Sequence, residues 1–79
     1  MRYETMERYR PTKEPFGTWL LAQIGRQDDI GALARCARAD NGFPWKGDPQ
    51  AVSKRLNQLG ADPEMHLALE EAEVDWAAY

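Results

Sequence analysis

Residues 47–65 read GDPQAVSKRLNQLGADPEM, and their punctuation decides the fold. Aspartate followed by proline is a helix-start signature. The carboxylate caps free backbone N–H groups, and proline at the first helical position gives up a donor that has no intrahelical partner there. The pair stands at Asp48-Pro49 and again at Asp62-Pro63, with Gly60 between them as a stop. Inside these limits Val52, Leu56 and Leu59 supply one apolar helical face. The second start opens a helix toward Tyr79 on which Met65, Leu69, Ala72 and Trp76 fall at i, i+4, i+7 and i+11. Leu67 and Val74 lie off that stripe, so this helix has either a broader buried face or an exposed apolar edge. The recurrence of Asp-Pro is shared capping chemistry rather than duplication.

The same signals run upstream. Pro15 suits a first helical turn, and Phe16, Trp19, Leu20 and Ile24 share a face that Gly25 closes in a left-handed conformation. Asp28 or Asp29 caps a second helix with the stripe Ile30, Leu33, Ala34 and Ala37, ended by Asn41 and Gly42. No stretch alternates with period two, so no strand is predicted. Residues 1–14, MRYETMERYRPTKE, mix charges and tyrosines around Pro11. They read as a flexible or loosely docked arm, with a short helix carrying Tyr3, Met6 and Tyr9 as the alternative. The domain proper is residues 15–79, an all-α, small four-helix bundle. Its expected core is Phe16, Trp19, Leu20, Ile24, Ile30, Leu33, Ala34, Phe43, Val52, Leu56, Leu59, Leu69 and Trp76.

Composition bounds the possibilities. Seventy-nine residues allow one domain, which at this size buries only about 60 % of its unfolded surface. Hydrophobic residues at 43 % with 29 % charged describe a globular chain rather than a disordered one. The single cysteine, Cys36, excludes an internal disulfide and a multi-cysteine zinc site. No apolar run reaches the ~20 residues of a membrane span, and residues 1–14 lack the apolar core of a signal peptide, so a cytoplasmic protein is expected. The net charge of −3 is unevenly spread. Residues 56–79 hold six acids and no lysine or arginine, whereas residues 26–55 hold six bases against four acids.

The ordered string PFGTWLLAQIGRQDDIGALARCARADNGFP, followed by a polar helix and EEAEVDWAAY, resembles the YozE family of small bacterial proteins. Trp19, Leu20, Ile30, Ala34, Asp40, Phe43, Pro44, Trp76 and Tyr79 carry the likeness, which covers residues 15–79. The resemblance implies a sterile-alpha-motif-like four-helix arrangement and carries no activity onto particular residues. Two features depart from it: the amino-terminal arm, and Trp45-Lys46 where lysine more often follows the Phe-Pro pair directly.

Catalysis and cofactors find little footing. His66 and Glu70 sit one helical turn apart, but a metal site needs three or four ligands and there is no second histidine. They read as a surface helix pair. Cys36 lies between Arg35 and Arg38, cations that favour a thiolate, yet its place beside the apolar stripe points to a half-buried structural thiol. The run EEAEVD reads as a solvated acidic face, because acid–base carboxylates need a dry pocket that pushes their pKa values apart. No enzyme activity and no cofactor are expected.

Recognition of a macromolecule is the expected role, with an unknown protein partner first and nucleic acid as the alternative. A helix–hairpin–helix phosphate site would fall on RQDDIG, residues 26–31, where Asp28 and Asp29 would repel a phosphate. A looser, weak DNA-binding surface would use Arg35, Arg38, Lys46, Lys54 and Arg55 with Trp45 stacking on a base. The same residues, Trp45, Lys46, Lys54, Arg55, Arg35 and Arg38, are the candidates for a protein interface. The basic middle and the acidic last helix also allow weak head-to-tail self-association. In the loop RADNGFPWKGDP, residues 38–49, Phe43 is expected to plug the core, whereas Trp45 is as consistent with packing as with exposure.

Overall fold

The computed structural model describes residues 14–79. Among these the chain forms four α-helices: α1 (Phe16–Leu21), α2 (Asp29–Arg38), α3 (Pro49–Leu59) and α4 (Pro63–Ala78). A 3-10 turn over Ala22–Gly25 follows α1, and no strand occurs among the described residues. This is the expected small all-α bundle. The readings of the amino-terminal arm lie outside the described residues, except at Glu14.

Aspartates start three of the helices. Asp28 Oδ1 accepts from Gly31 N at 3.0 Å, Asp48 Oδ1 from Ala51 N at 2.9 Å and Asp62 Oδ1 from Met65 N at 3.3 Å. Asp28, not Asp29, is therefore the cap of α2; each such cap stabilises by about 1 kcal/mol. α3 ends as expected at Gly60, in the left-handed region at φ 70°. Gly60 N–H donates to Asn57 O and Ala61 N–H to Leu56 O, the paired bonds of a Schellman end.

Two helix ends differ from expectation. α1 gives way to the 3-10 turn after Leu21, and Gly25 is not left-handed; among the described residues only Gly60 has positive φ. Side chains take the carbonyls released there. Gln23 Nε2 donates to Trp19 O, and Arg35 Nη1 donates to both Ile24 O and Arg26 O. α2 stops at Arg38 rather than at Asn41-Gly42, as Ala39 N–H divides between Arg35 O and Cys36 O in a tightening last turn.

The core lies where α1, α2 and α4 meet, with α3 packed on α1 and α4. Phe16, Leu20, Ala34, Val52 and Ala72 are fully buried, and Trp19, Ile30, Leu33, Ala37, Phe43, Leu56, Ala68 and Leu69 complete it. Trp76 is half-buried against this cluster. Its indole donates to Glu14 O at 3.1 Å, and its ring meets Phe16 edge-on at 5.6 Å.

Besides Trp76, which only packs against the core, two further expected core residues lie outside it. Ile24 is 37 % exposed and Leu59 53 % exposed. For Ile24 the cause is the 3-10 turn, which advances about 120° per residue instead of 100° and rotates the side chain off the stripe of Phe16, Trp19 and Leu20. For Leu59 the cause is tertiary: it stands on the last turn of α3 at the rim of a small apolar slot between α2 and α3, where no side chain covers its outer side. Leu67 and Val74 form the exposed edge of α4, not a wider buried face.

Candidate functional site

The residues singled out in the sequence gather around the connection between α2 and α3, and the local chemistry of residues 39–48 holds that connection still. Asp40 is its anchor. Its Oδ1 accepts from Gly42 N at 3.0 Å and Arg55 Nη2 at 2.6 Å, its Oδ2 accepts from Arg55 Nε at 2.8 Å, and its carbonyl accepts from Phe43 N at 3.1 Å. The fork of Arg55 thus grips both carboxylate oxygens from across the gap. That hydrogen bond, foremost, holds the Asp40 carboxyl down to about 2. Gly42 lies against the Arg55 guanidinium with no room for a Cβ.

Beyond Asp40, Phe43 turns inward with 9 % exposure, the core plug that the sequence suggests. Pro44 O accepts from Gly47 N at 2.8 Å, closing a tight turn. That turn lies on the first turn of α1, which has no side-chain cap. Gly17 N donates to Gly47 O at 3.0 Å, and Thr18 Oγ1 donates to Trp45 O at 2.7 Å. A Cβ at Gly17 would stand 2.5 Å from Pro44 O and 2.8 Å from Trp45 O, so glycine is what permits the approach.

The consequence is a fixed backbone that presents an exposed ring. Trp45 is 54 % exposed, which resolves the alternative left open by the sequence. Lys46 Nζ lies 4.8 Å from the centroid of the indole, a cation–π contact that covers one side of it. Trp45 and Arg38 line one cleft of about 210 Å³ with Leu21, Asn41 and Phe43. Lys54 and Arg55 line a second of about 260 Å³ with Gly42, Pro44 and Gln58. Between the two, an apolar slot of about 30 Å³ opens between α2 and α3.

Five of the six candidates therefore lie around the α2–α3 slot: Trp45 and Arg38 in one cleft that adjoins it, Lys54 and Arg55 in another, and Lys46 against Trp45. Arg35 does not join them; its guanidinium serves the carbonyls of Ile24 and Arg26 at the connection between α1 and α2. Arg55 is on the face but is committed to Asp40. The sequence reading missed the Asp40–Arg55 clamp and the contact of the loop with α1. Gly17 was the available signal, because glycine in a helix is costly and usually marks a close approach.

The remaining candidates are placed elsewhere. Asp28 occupies the Gly31 N–H that a phosphate would need, and Arg26 bonds both oxygens of Asp28 and reaches Asp75 Oδ2 at 3.1 Å. Arg26 is the chief cause of the lowered pKa of Asp28. His66 borders a shallow cleft of about 250 Å³ with Glu70, Glu73, Gln50 and Ser53. Among the described residues no group of three or more His, Cys, Asp or Glu side chains could hold a metal ion. Cys36 is exposed rather than half-buried, at the rim of the slot between α2 and α3. No helix of the described residues is long and apolar enough to cross a membrane. Compared with protein-family profiles, curated proteins and solved structures, the chain shows no match.

Proposed function

We propose that this chain is a non-catalytic protein-recognition module of YozE type, with a sterile-alpha-motif-like helix arrangement, working in the cytoplasm. Its binding face is the one around Trp45. The observation that carries this reading is a 54 % exposed tryptophan on a loop whose backbone is tied down by Thr18, Gly17 and Asp40. A large ring on a backbone already held in place loses less conformational freedom on binding, which lowers one of the costs that association must overcome. Nucleic acid suits the face less well. Asp40 neutralises Arg55 and carbonyls occupy Arg35, which removes two of five cations from a chain whose net charge is −3.

The test is affinity capture from the native cell with the wild-type chain and Trp45→Ala, each with and without nuclease. Capture of a protein that survives nuclease and is lost in Trp45→Ala is the expected result. Loss on nuclease treatment would indicate nucleic acid instead, and equal capture by both chains would remove Trp45 from the interface.

A further inference from the structure

The slot between α2 and α3 has walls of Leu33, Cys36, Ala37, Phe43, Leu56 and Leu59, and the Asp40–Arg55 pair closes one part of it. Its volume of about 30 Å³ admits the tip of one aliphatic side chain. Water is a poor occupant, since the only polar side chains lining it, those of Asp40 and Arg55, already bond one another. Leu59 stands at this slot 53 % exposed although it follows the same helical stripe as Val52 and Leu56, which are buried.

Charge surrounds the slot on both sides. The cleft holding Arg38 shares Ala37, Asp40 and Phe43 with it, and the cleft holding Lys54 shares Arg55. Among the described residues neither Arg38 nor Lys54 pairs with a carboxylate. Asp40 is the one acid lining these three clefts, and Arg55 neutralises it. With Lys46 beside Trp45, the face carries three cations that have no carboxylate partner among the described residues, around an apolar opening. Nucleic acid would answer the charge, yet it has no aliphatic side chain to fill the slot. A negatively charged peptide with a leucine answers both.

We propose that the α2–α3 slot receives a leucine-type side chain from an acidic peptide segment, whose carboxylates face Arg38 and Lys54. This rests on reading the Trp45 face as a protein-recognition surface. The bound side chain covers Cys36 and Leu59, and the segment continues toward Trp45.

Cys36 makes the occupancy measurable without touching the binding charges. The probe is a fluorescein-labelled, glutamate-rich peptide with leucines at helical spacing, compared with the same peptide bearing alanine for leucine and with a single-stranded oligonucleotide. Affinity is read by anisotropy, and slot occupancy by the rate of Cys36 alkylation. The leucine peptide should bind, slow alkylation by about tenfold when present in about tenfold excess over its dissociation constant, and lose about tenfold in affinity when leucine becomes alanine. Leu59→Glu should abolish protection, and Leu67→Glu on α4, another exposed leucine, should leave it unchanged.

Equal affinity for the alanine peptide, or binding without protection of Cys36, overturns the slot. So does protection that grows with protein concentration alone, which would put a second copy there. An oligonucleotide that protects as well as the peptide overturns the assignment to an acidic segment. If Trp45 is required for capture of a cellular protein but no acidic peptide protects Cys36, the recognition face stands and the slot assignment falls.

Discussion

Replacing Gly17 with alanine tests the clamp that presents Trp45. The new Cβ would stand 2.5 Å from Pro44 O and 2.8 Å from Trp45 O, so the loop must retreat by roughly 1 Å to reach van der Waals separation. That retreat breaks the bonds from Gly17 N to Gly47 O at 3.0 Å and from Thr18 Oγ1 to Trp45 O at 2.7 Å, each worth about 1 kcal/mol. Displacing packed backbone adds about 1 kcal/mol, and the better helix propensity of alanine returns a similar amount. The expected loss is about 2 kcal/mol, or a fall in Tm of about 8–16 °C for a domain of this size. Gly25→Ala is the control, since nothing lies within 4 Å of its Cβ position and its φ is not positive. It should be neutral or stabilising by up to about 1 kcal/mol. Urea and thermal denaturation followed by circular dichroism and tryptophan fluorescence would measure both. A Gly17→Ala chain as stable as the wild type would refute the close approach and with it the fixed presentation of Trp45.

Phe43→Ala empties the plug between α2 and α3 and should cost about 3 kcal/mol, near the low end for a phenylalanine because the side chain borders the slot; an unchanged urea midpoint would contradict the plug. Leu59→Ser should cost less than about 1 kcal/mol whereas Leu56→Ala, one turn earlier and buried, should cost about 2–4 kcal/mol, and comparable losses in equilibrium denaturation would mean that Leu59 is core after all. The depressed carboxyl of Asp40, about 2 against the ordinary 3.8, binds its proton less readily in the folded chain than in the unfolded one. Its contribution to stability is therefore complete above about pH 4 and lost as pH falls toward 2. The difference in stability between wild type and Asp40→Asn should shrink across that window, and a difference independent of pH would refute the ion pair with Arg55.

Most of the helix grammar was legible because it is written in local chemistry. Asp28, Asp48 and Asp62 cap helices through their own backbone neighbourhood, and Gly60 stops α3 by adopting a conformation that other residues resist. The two ends that were misread, at Gly25 and at Asn41-Gly42, involve no such compulsion. There the chain chooses between α and 3-10 hydrogen bonding; near Gly25 Gln23 and Arg35 tip the choice by taking released carbonyls, and after Arg38 Asp40 turns the chain by taking Gly42 N–H. Arg35 lies nine or more residues from those carbonyls, a separation that no local pattern encodes. The candidate face divides in the same way. Its residue types were visible as a cluster of cations and an extra tryptophan, but their neutralisation and grouping were not.

The sequence by itself determined an all-α chain of four amphipathic helices, helix starts at Asp48, Asp62 and one of Asp28 and Asp29, and the stop at Gly60. These follow from capping, backbone freedom and 3.6-residue periodicity, which act within a few residues. Only the tertiary structure decided which apolar residues are buried and which cations are free. Ile24 and Leu59 satisfy the pattern of a core stripe, yet one is rotated out by a 3-10 turn and the other stands at the rim of the slot between α2 and α3. Arg55 reads as a free base until Asp40 arrives across the loop, and Trp45 reads as packed or exposed until Thr18 and Gly17 pin its backbone to α1. Burial and charge pairing are properties of what stands opposite a side chain, and a single helix does not specify its opposite.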